Sequence, residues 1–176
     1  VSTDAGMSSL ENADLVVGYD KHYLFGCKQD QPTLLAEAQR LLARKRKPLA
    51  ETVDLRGNLE VHRRLYLTQE MAGFLNWRHL QTVVRVESEV RQVETGLVES
   101  RESRYYLSSL PANRLSPQQW LLVVRNHWGV ENQGHWTLDA VFEEDDRPWI
   151  RMSPKGALVV MLLRRMTYNL LALYRI

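Results

Sequence analysis

The sequence predicts an α/β fold interrupted by a β-rich antiparallel stretch. Three observations carry this. The first fifty residues alternate strand-like and helix-like patterns, residues 51–110 switch to period-two alternation rich in β-branched side chains, and from Ser116 onward apolar residues return to helical spacing. The segments expected from these shifts are 1–50, 51–110 and 111–176.

Val1 and Thr3 alternate with Ser2 and Asp4 as in a strand, and Ala5-Gly6 reads as a turn. Ser8 or Ser9 is placed to cap a helix carrying Leu10, Ala13, Leu15, Val16 and Val17, which stops at Gly18. A short hydroxyl side chain accepts from the orphan N–H groups of a first turn, and glycine ends a helix at low steric cost. Residues 23–27 are an apolar run of strand length. A second helix begins at Gln31-Pro32-Thr33, where the N–H that proline lacks has no intrahelical acceptor to lose. Its Leu34, Leu35, Ala38, Leu41 and Leu42 recur on one face. Arg44-Lys45-Arg46-Lys47 closes it, either as a solvated complement to the helix dipole or as a phosphate-contacting run.

Residues 52–55, 59–68, 80–94 and 105–110 read as strands, with Arg56-Gly57-Asn58 as a turn. Charges at Arg85, Glu87, Glu89, Arg91 and Glu94 alternate along them, which predicts a largely antiparallel sheet with one wet face. Trp77, between Leu75 and Leu80, reads as a core plug. Ser116-Pro117-Gln118-Gln119 has the form of a capping box ahead of Leu121 to Val124. Ser153-Pro154 starts the last helix, with Ala157, Val160, Met161, Leu163 and Leu170 as its apolar face and Arg164 and Arg165 interrupting it.

Bulk properties set limits. The chain has 176 residues, enough for one ordinary domain, and a net charge of +2, so any polyanion-binding surface must be local. Cys27 is the single cysteine, which excludes an intrachain disulfide and a multi-cysteine zinc site. The opening residues carry neither the basic nor the apolar region of a secretory signal. Residues 157–163 are too short an apolar run to span a bilayer. The expected location is the cytoplasm. A strand at Val1 with no lead-in is expected to mark a fragment of a longer protein.

The densest chemistry lies at residues 125–139, Arg125-Asn-His-Trp-Gly-Val-Glu131-Asn-Gln-Gly-His135-Trp-Thr-Leu-Asp139. On a continuous helix His127, Glu131 and His135 share one stripe, with Trp128 beside it. That face suits metal binding or phosphodiester chemistry; the plainer alternative is a helix with core tryptophans and a solvated glutamate. Gly134 could instead cap the helix, which would remove His135 from the stripe. The acidic run at residues 143–146 reads as a solvated turn, with a metal-binding loop as the alternative.

Residues 127–132, then His135-Trp136, Leu138-Asp139 and Phe142-Glu143-Glu144-Asp145, resemble the C-terminal signature of H-repeat-associated bacterial insertion-sequence transposases. The opening, Val1-Ser2-Thr3-Asp4-Ala5 with Tyr23-Leu24-Phe25 and residues 28–35, resembles the same family. So does the ending, Leu163-Arg164-Arg165-Met166 with Asn169-Leu170-Leu171. The matches run in order along essentially the whole chain.

That family belongs to the DDE superfamily, so the resemblance implies a partial RNase H-like catalytic core, with the first strands missing and the β-rich stretch inserted before the Glu-bearing helix. It implies Asp4 and Glu131 as catalytic and metal-ligating residues. Three carboxylates of such a core hold two Mg²⁺ or Mn²⁺ ions, for which hard oxygen ligands are suited. The implied activity is metal-dependent cleavage and strand transfer of insertion-sequence DNA, and the implied partners are transposon ends, target DNA and further copies of the full-length protein. Arg125, His127, His135 and the run Arg44, Lys45, Arg46 and Lys47 are the candidate phosphate contacts. The first catalytic Asp would lie upstream of Val1, so the chain alone is expected not to cleave DNA and its first strand to lose its sheet neighbours. His127 and Leu138 stand where related transposases often carry Arg and Lys, and Arg56-Gly57-Asn58 stands where a His-Gly-Arg-type motif is expected. The rival reading is a DNA-binding or assembly remnant that works without either carboxylate.

Overall fold

A computed structural model describes residues 1–130 and 153–174. The chain divides into two units, Val1–Val123 and Val124–Ile176. The first is built on a six-stranded sheet: β1 (Ser2–Thr3), β2 (Leu24–Cys27), β3 (Ala50–Arg56), β4 (Leu59–Thr68), β5 (Thr82–Gln92) and β6 (Val98–Ser108), in the spatial order β1-β2-β6-β5-β4-β3. Only β1 and β2 are parallel; the other neighbours are antiparallel. Among the described residues the α-helices are α1 (Leu10–Gly18), α2 (Pro32–Leu42), α3 (Pro117–Val130) and α4 (Pro154–Tyr174). The mixed α/β class and the antiparallel character of the β-rich stretch are as the sequence predicts. β1, expected to lose its sheet neighbours, instead pairs with β2 through Ser2↔Leu24 and Thr3↔Phe25 and forms one edge of the sheet.

Local chemistry sets the helix starts. Ser9 Oγ accepts from Asn12 N at 3.1 Å and caps α1. Ser116 Oγ accepts from Gln119 N at 3.2 Å while Gln119 Oε1 accepts from Ser116 N at 2.8 Å, the reciprocal pair of a capping box. Ser153 Oγ accepts from Gly156 N at 3.2 Å and caps α4.

All five apolar residues named for α2 are buried, against Phe25, Cys27, Tyr66, Val83 and Leu107 of the sheet. Each of the four leucines contributes about 1.5–3 kcal/mol of burial free energy. Met71, Trp77 and Leu80, from the β4–β5 connection, complete this core. Tyr23 stacks on Phe25 at 4.4 Å and meets Trp77 edge-on at 6.3 Å, so Trp77 is the core plug its neighbours predict. To seat it the chain turns through Gly73, Leu75 and Asn76 at φ of 70°, 50° and 65°. For the two non-glycine residues that conformation costs on the order of 1 kcal/mol each.

Three expectations are corrected. In α1 only Ala13 is fully buried, with Val16 and Val17 partly so, while Leu10 and Leu15 face solvent. Ala13, Val16 and Val17 sit at i, i+3 and i+4, a single narrow stripe that excludes Leu15. Among the described side chains of α4 the buried one is Arg164, whereas Met161, Leu163 and Leu170 are exposed; a helix apolar nearly all round has no periodicity that selects a face. The predicted wet face of the sheet also changes character along the strands. Cross-strand partners share a face, which puts Tyr66, Val83 and Leu107 on the same side as His62, Arg64, Glu89 and Arg101. One end of that face is core; Arg85, opposite Tyr66, borders it and is buried, and so is Glu89 farther along.

β6 begins at Val98, seven residues before the strand predicted at Tyr105, because hairpin pairing with β5 recruits the polar run that follows Leu97. Glu99 is the extra residue there, between the pairs Val90↔Ser100 and Arg91↔Val98. Gly57, at φ 61°, and Asn58 close the β3–β4 hairpin.

Candidate catalytic carboxylate and its surroundings

Asp4 stands at the carboxyl end of β1 and Lys28 one residue past the carboxyl end of β2. Because these strands are parallel and adjacent, their ends open on the same edge of the sheet, the edge at which α/β folds place their sites. Lys28 Nζ lies 2.8 Å from Asp4 Oδ1, and both side chains are about half exposed. The backbone around the pair is tied together. Asp4 O accepts from Met7 N at 3.2 Å, closing the turn that follows it. Ser8 Oγ donates to Gly26 O at 2.7 Å, Asn12 Nδ2 to Met7 O at 2.7 Å, and Gln31 Nε2 to Ser8 O.

Gly26 suits this close packing. A Cβ there would come within 3.0 Å of Ala5 N and 3.4 Å of Asp4 Oδ1. Thr3 Oγ1 and Gln31 Oε1 are buried without a hydrogen-bond partner. A half-exposed carboxylate with a close-packed backbone behind it is a suitable hard-oxygen ligand for a divalent cation. It is one ligand: among the described residues no group of three or more His, Cys, Asp or Glu could hold a metal ion.

Glu131 and His135 lie outside the described residues. The helix that leads to them is described through Val130, with Arg125 exposed and His127 half-buried. Two residues apart on a helix, those side chains leave on different sides and do not converge on one phosphate. Arg44, Lys45, Arg46 and Lys47 are all exposed, and Lys45 Nζ is 3.6 Å from Glu70 Oε1. They follow the C-terminus of α2 while Lys28 precedes its start, so the helix's 11 residues set them about 16 Å from the Asp4 edge.

Lys28 was not singled out by the spacing of charges along the chain. The available signal was topological: with Thr3 opposite Phe25, Asp4 falls level with Gly26, and the long side chain of Lys28, two residues on, reaches it.

Further charge clusters lie on the sheet. Glu89 is shut off from solvent by Arg91 and Arg101, both bonded to it, and not by a packed core. Burial pushes its carboxyl up, the hydrogen bonds from Arg91 and Arg101 pull it down, and the balance lies below the ordinary value. Arg85 lies 3.9 Å over the Tyr66 ring and 3.2 Å from Glu87, which also accepts from Tyr66 Oη at 3.1 Å. His62 sits between Glu51 at 3.8 Å and Glu60 at 3.1 Å, through opposite ring nitrogens, which is not a chelating arrangement.

A stretch of 43 residues is 49% identical to an Escherichia coli K12 protein. That protein is named "H repeat-associated putative transposase YhhI". A second protein of the same strain, "Putative protein YbfL", matches equally. In both cases the match covers 24% of this chain and 11% of the relative, so the similarity is partial on both sides. No family model matches the chain, and no solved structure does. No described helix is long and apolar enough to cross a membrane.

Proposed function

We propose that this chain is part of the catalytic core of a DDE-type insertion-sequence transposase, with Asp4 and Glu131 as two of its three metal-binding carboxylates. The observation that carries the reading is Asp4 itself: a half-exposed carboxylate at the carboxyl end of a strand in the parallel β1–β2 pair, matched with a cation. The 43-residue similarity to a protein named a transposase supports it. Mg²⁺ or Mn²⁺, when bound, supplies activation of the attacking hydroxyl and stabilisation of the leaving oxygen. In this reading the protein's own part is to hold the carboxylates deprotonated and oriented, and to grip the phosphates that flank the reacting bond. DNA is the partner, and assembly with further copies belongs to the full-length protein.

The test is Mn²⁺ titration of the chain, followed by electron paramagnetic resonance of the free ion, with Asp4→Asn and Glu131→Gln beside the wild type. Binding weakened by each substitution is the expected result. Binding indifferent to both removes the site. A second reading, a DNA-binding remnant, is favoured by the exposed run Arg44 to Lys47 at the opposite end of α2. It requires salt-sensitive DNA binding that survives loss of both carboxylates.

A further inference from the structure

We infer that Lys28 is a DNA-phosphate contact that rests on Asp4 when nucleic acid is absent. The inference rests on the reading of Asp4 given above and adds a residue and an exchange to it. An ion pair between side chains that are 58% and 51% exposed does little for the fold, because solvent screens it and ordering a lysine costs entropy. Yet the surroundings hold both partners' backbones in place. Ser8 and Gln31 tie the turn after Asp4 to the strand and loop that carry Lys28, and Gly26 lets the two segments touch. The position is prepared while the contact itself is weak, as suits a cation that must change partners.

The chemistry of the exchange follows. An ammonium group is a point charge with three donors on a flexible stem, so it pairs with a carboxylate or a phosphate oxygen equally well. Its 2.8 Å contact shows that Lys28 reaches the edge where the carboxylate lies. A phosphodiester brought to that edge presents a second anion to the same ammonium. A divalent cation bound by Asp4 would repel the ammonium and favour its transfer to that phosphate. No covalent step is involved; one ion pair replaces another.

The test is fluorescence anisotropy of a short labelled DNA duplex with the 176-residue chain, in EDTA, across a salt series. For Lys28→Gln we expect weaker binding for every duplex sequence and a log–log salt slope lowered by about one, the signature of one lost phosphate contact. Lys28→Arg should restore the slope. Asp4→Asn releases the ammonium and should tighten metal-free binding several-fold, a gain that disappears in the Asp4→Asn, Lys28→Gln double variant. Melting curves establish that each variant is folded.

If the wild type binds DNA but Lys28→Gln leaves affinity and slope unchanged, the inference is overturned while the functional reading stands. It is overturned equally if the Asp4→Asn gain persists without Lys28, since the gain is then a general effect of net charge. If the wild type binds no DNA, the inference falls, while the reading of Asp4 as a metal-binding carboxylate is decided by the Mn²⁺ titration.

Discussion

Two buried side chains show how environment sets chemistry. Glu89 is held below its ordinary pKa despite burial, because Arg91 and Arg101 donate to it. A lowered folded-state value means that the folded protein binds fewer protons than the unfolded one as the group titrates. Its stabilisation is therefore complete above the ordinary carboxylate range and is lost as pH falls through the depressed value. Glu89→Gln should lower stability near neutral pH by about 1–2 kcal/mol in urea titrations, toward the low end because Arg101 is largely exposed. Below about pH 4, where free glutamate protonates, the difference between variant and wild type should shrink. Cys27 behaves in the opposite sense. Burial, with Asp30 nearby, pushes its thiol up to about 12. Reaction with a thiol-specific disulfide reagent at pH 8 should be slow in the native protein and fast in denaturant; equal rates would contradict its place in the core.

Helices and strands differ in how much their own residues reveal. The capping box of α3 is written in four consecutive residues and forms as written, so Ser116→Ala should cost about 1 kcal/mol, measured by chemical denaturation. The stripe of α2 is equally explicit, because five apolar residues at helical spacing leave one face to bury. The first half of β6 is the contrary case. The residues after Leu97 are polar and charged, with no period-two apolar signal, and become strand because β5 lies alongside. Strand state there is a property of the pair. Lys28 was hidden for a similar reason: nothing in its own neighbourhood marks it, and only the β1–β2 pairing brings it to Asp4.

For the fold taken together, the sheet order predicts a gradient of protection. β2, β6, β5 and β4 each have strands on both sides, while β1 and β3 are edges. Amide hydrogen exchange should be slowest in the middle of β4, β5 and β6 and faster in β3, whose outer backbone groups meet solvent. Uniform exchange across the six strands would contradict that order. By itself, the sequence determined the α/β class, the antiparallel character of the middle of the chain, the capped helix starts, the core stripe of α2, the core role of Trp77 and Asp4 as a strand-end carboxylate. These are legible because they depend on residues within a few positions of one another, where hydrogen-bonding reach and the 3.6 and 2.0 periodicities act. Only the tertiary structure decided that β6 lies beside β2, that Arg85 and Glu89 are buried on a face expected to be wet, and that Lys28 reaches Asp4. Each of these depends on which distant segment becomes a neighbour, and that choice is made by the burial of the core as a unit.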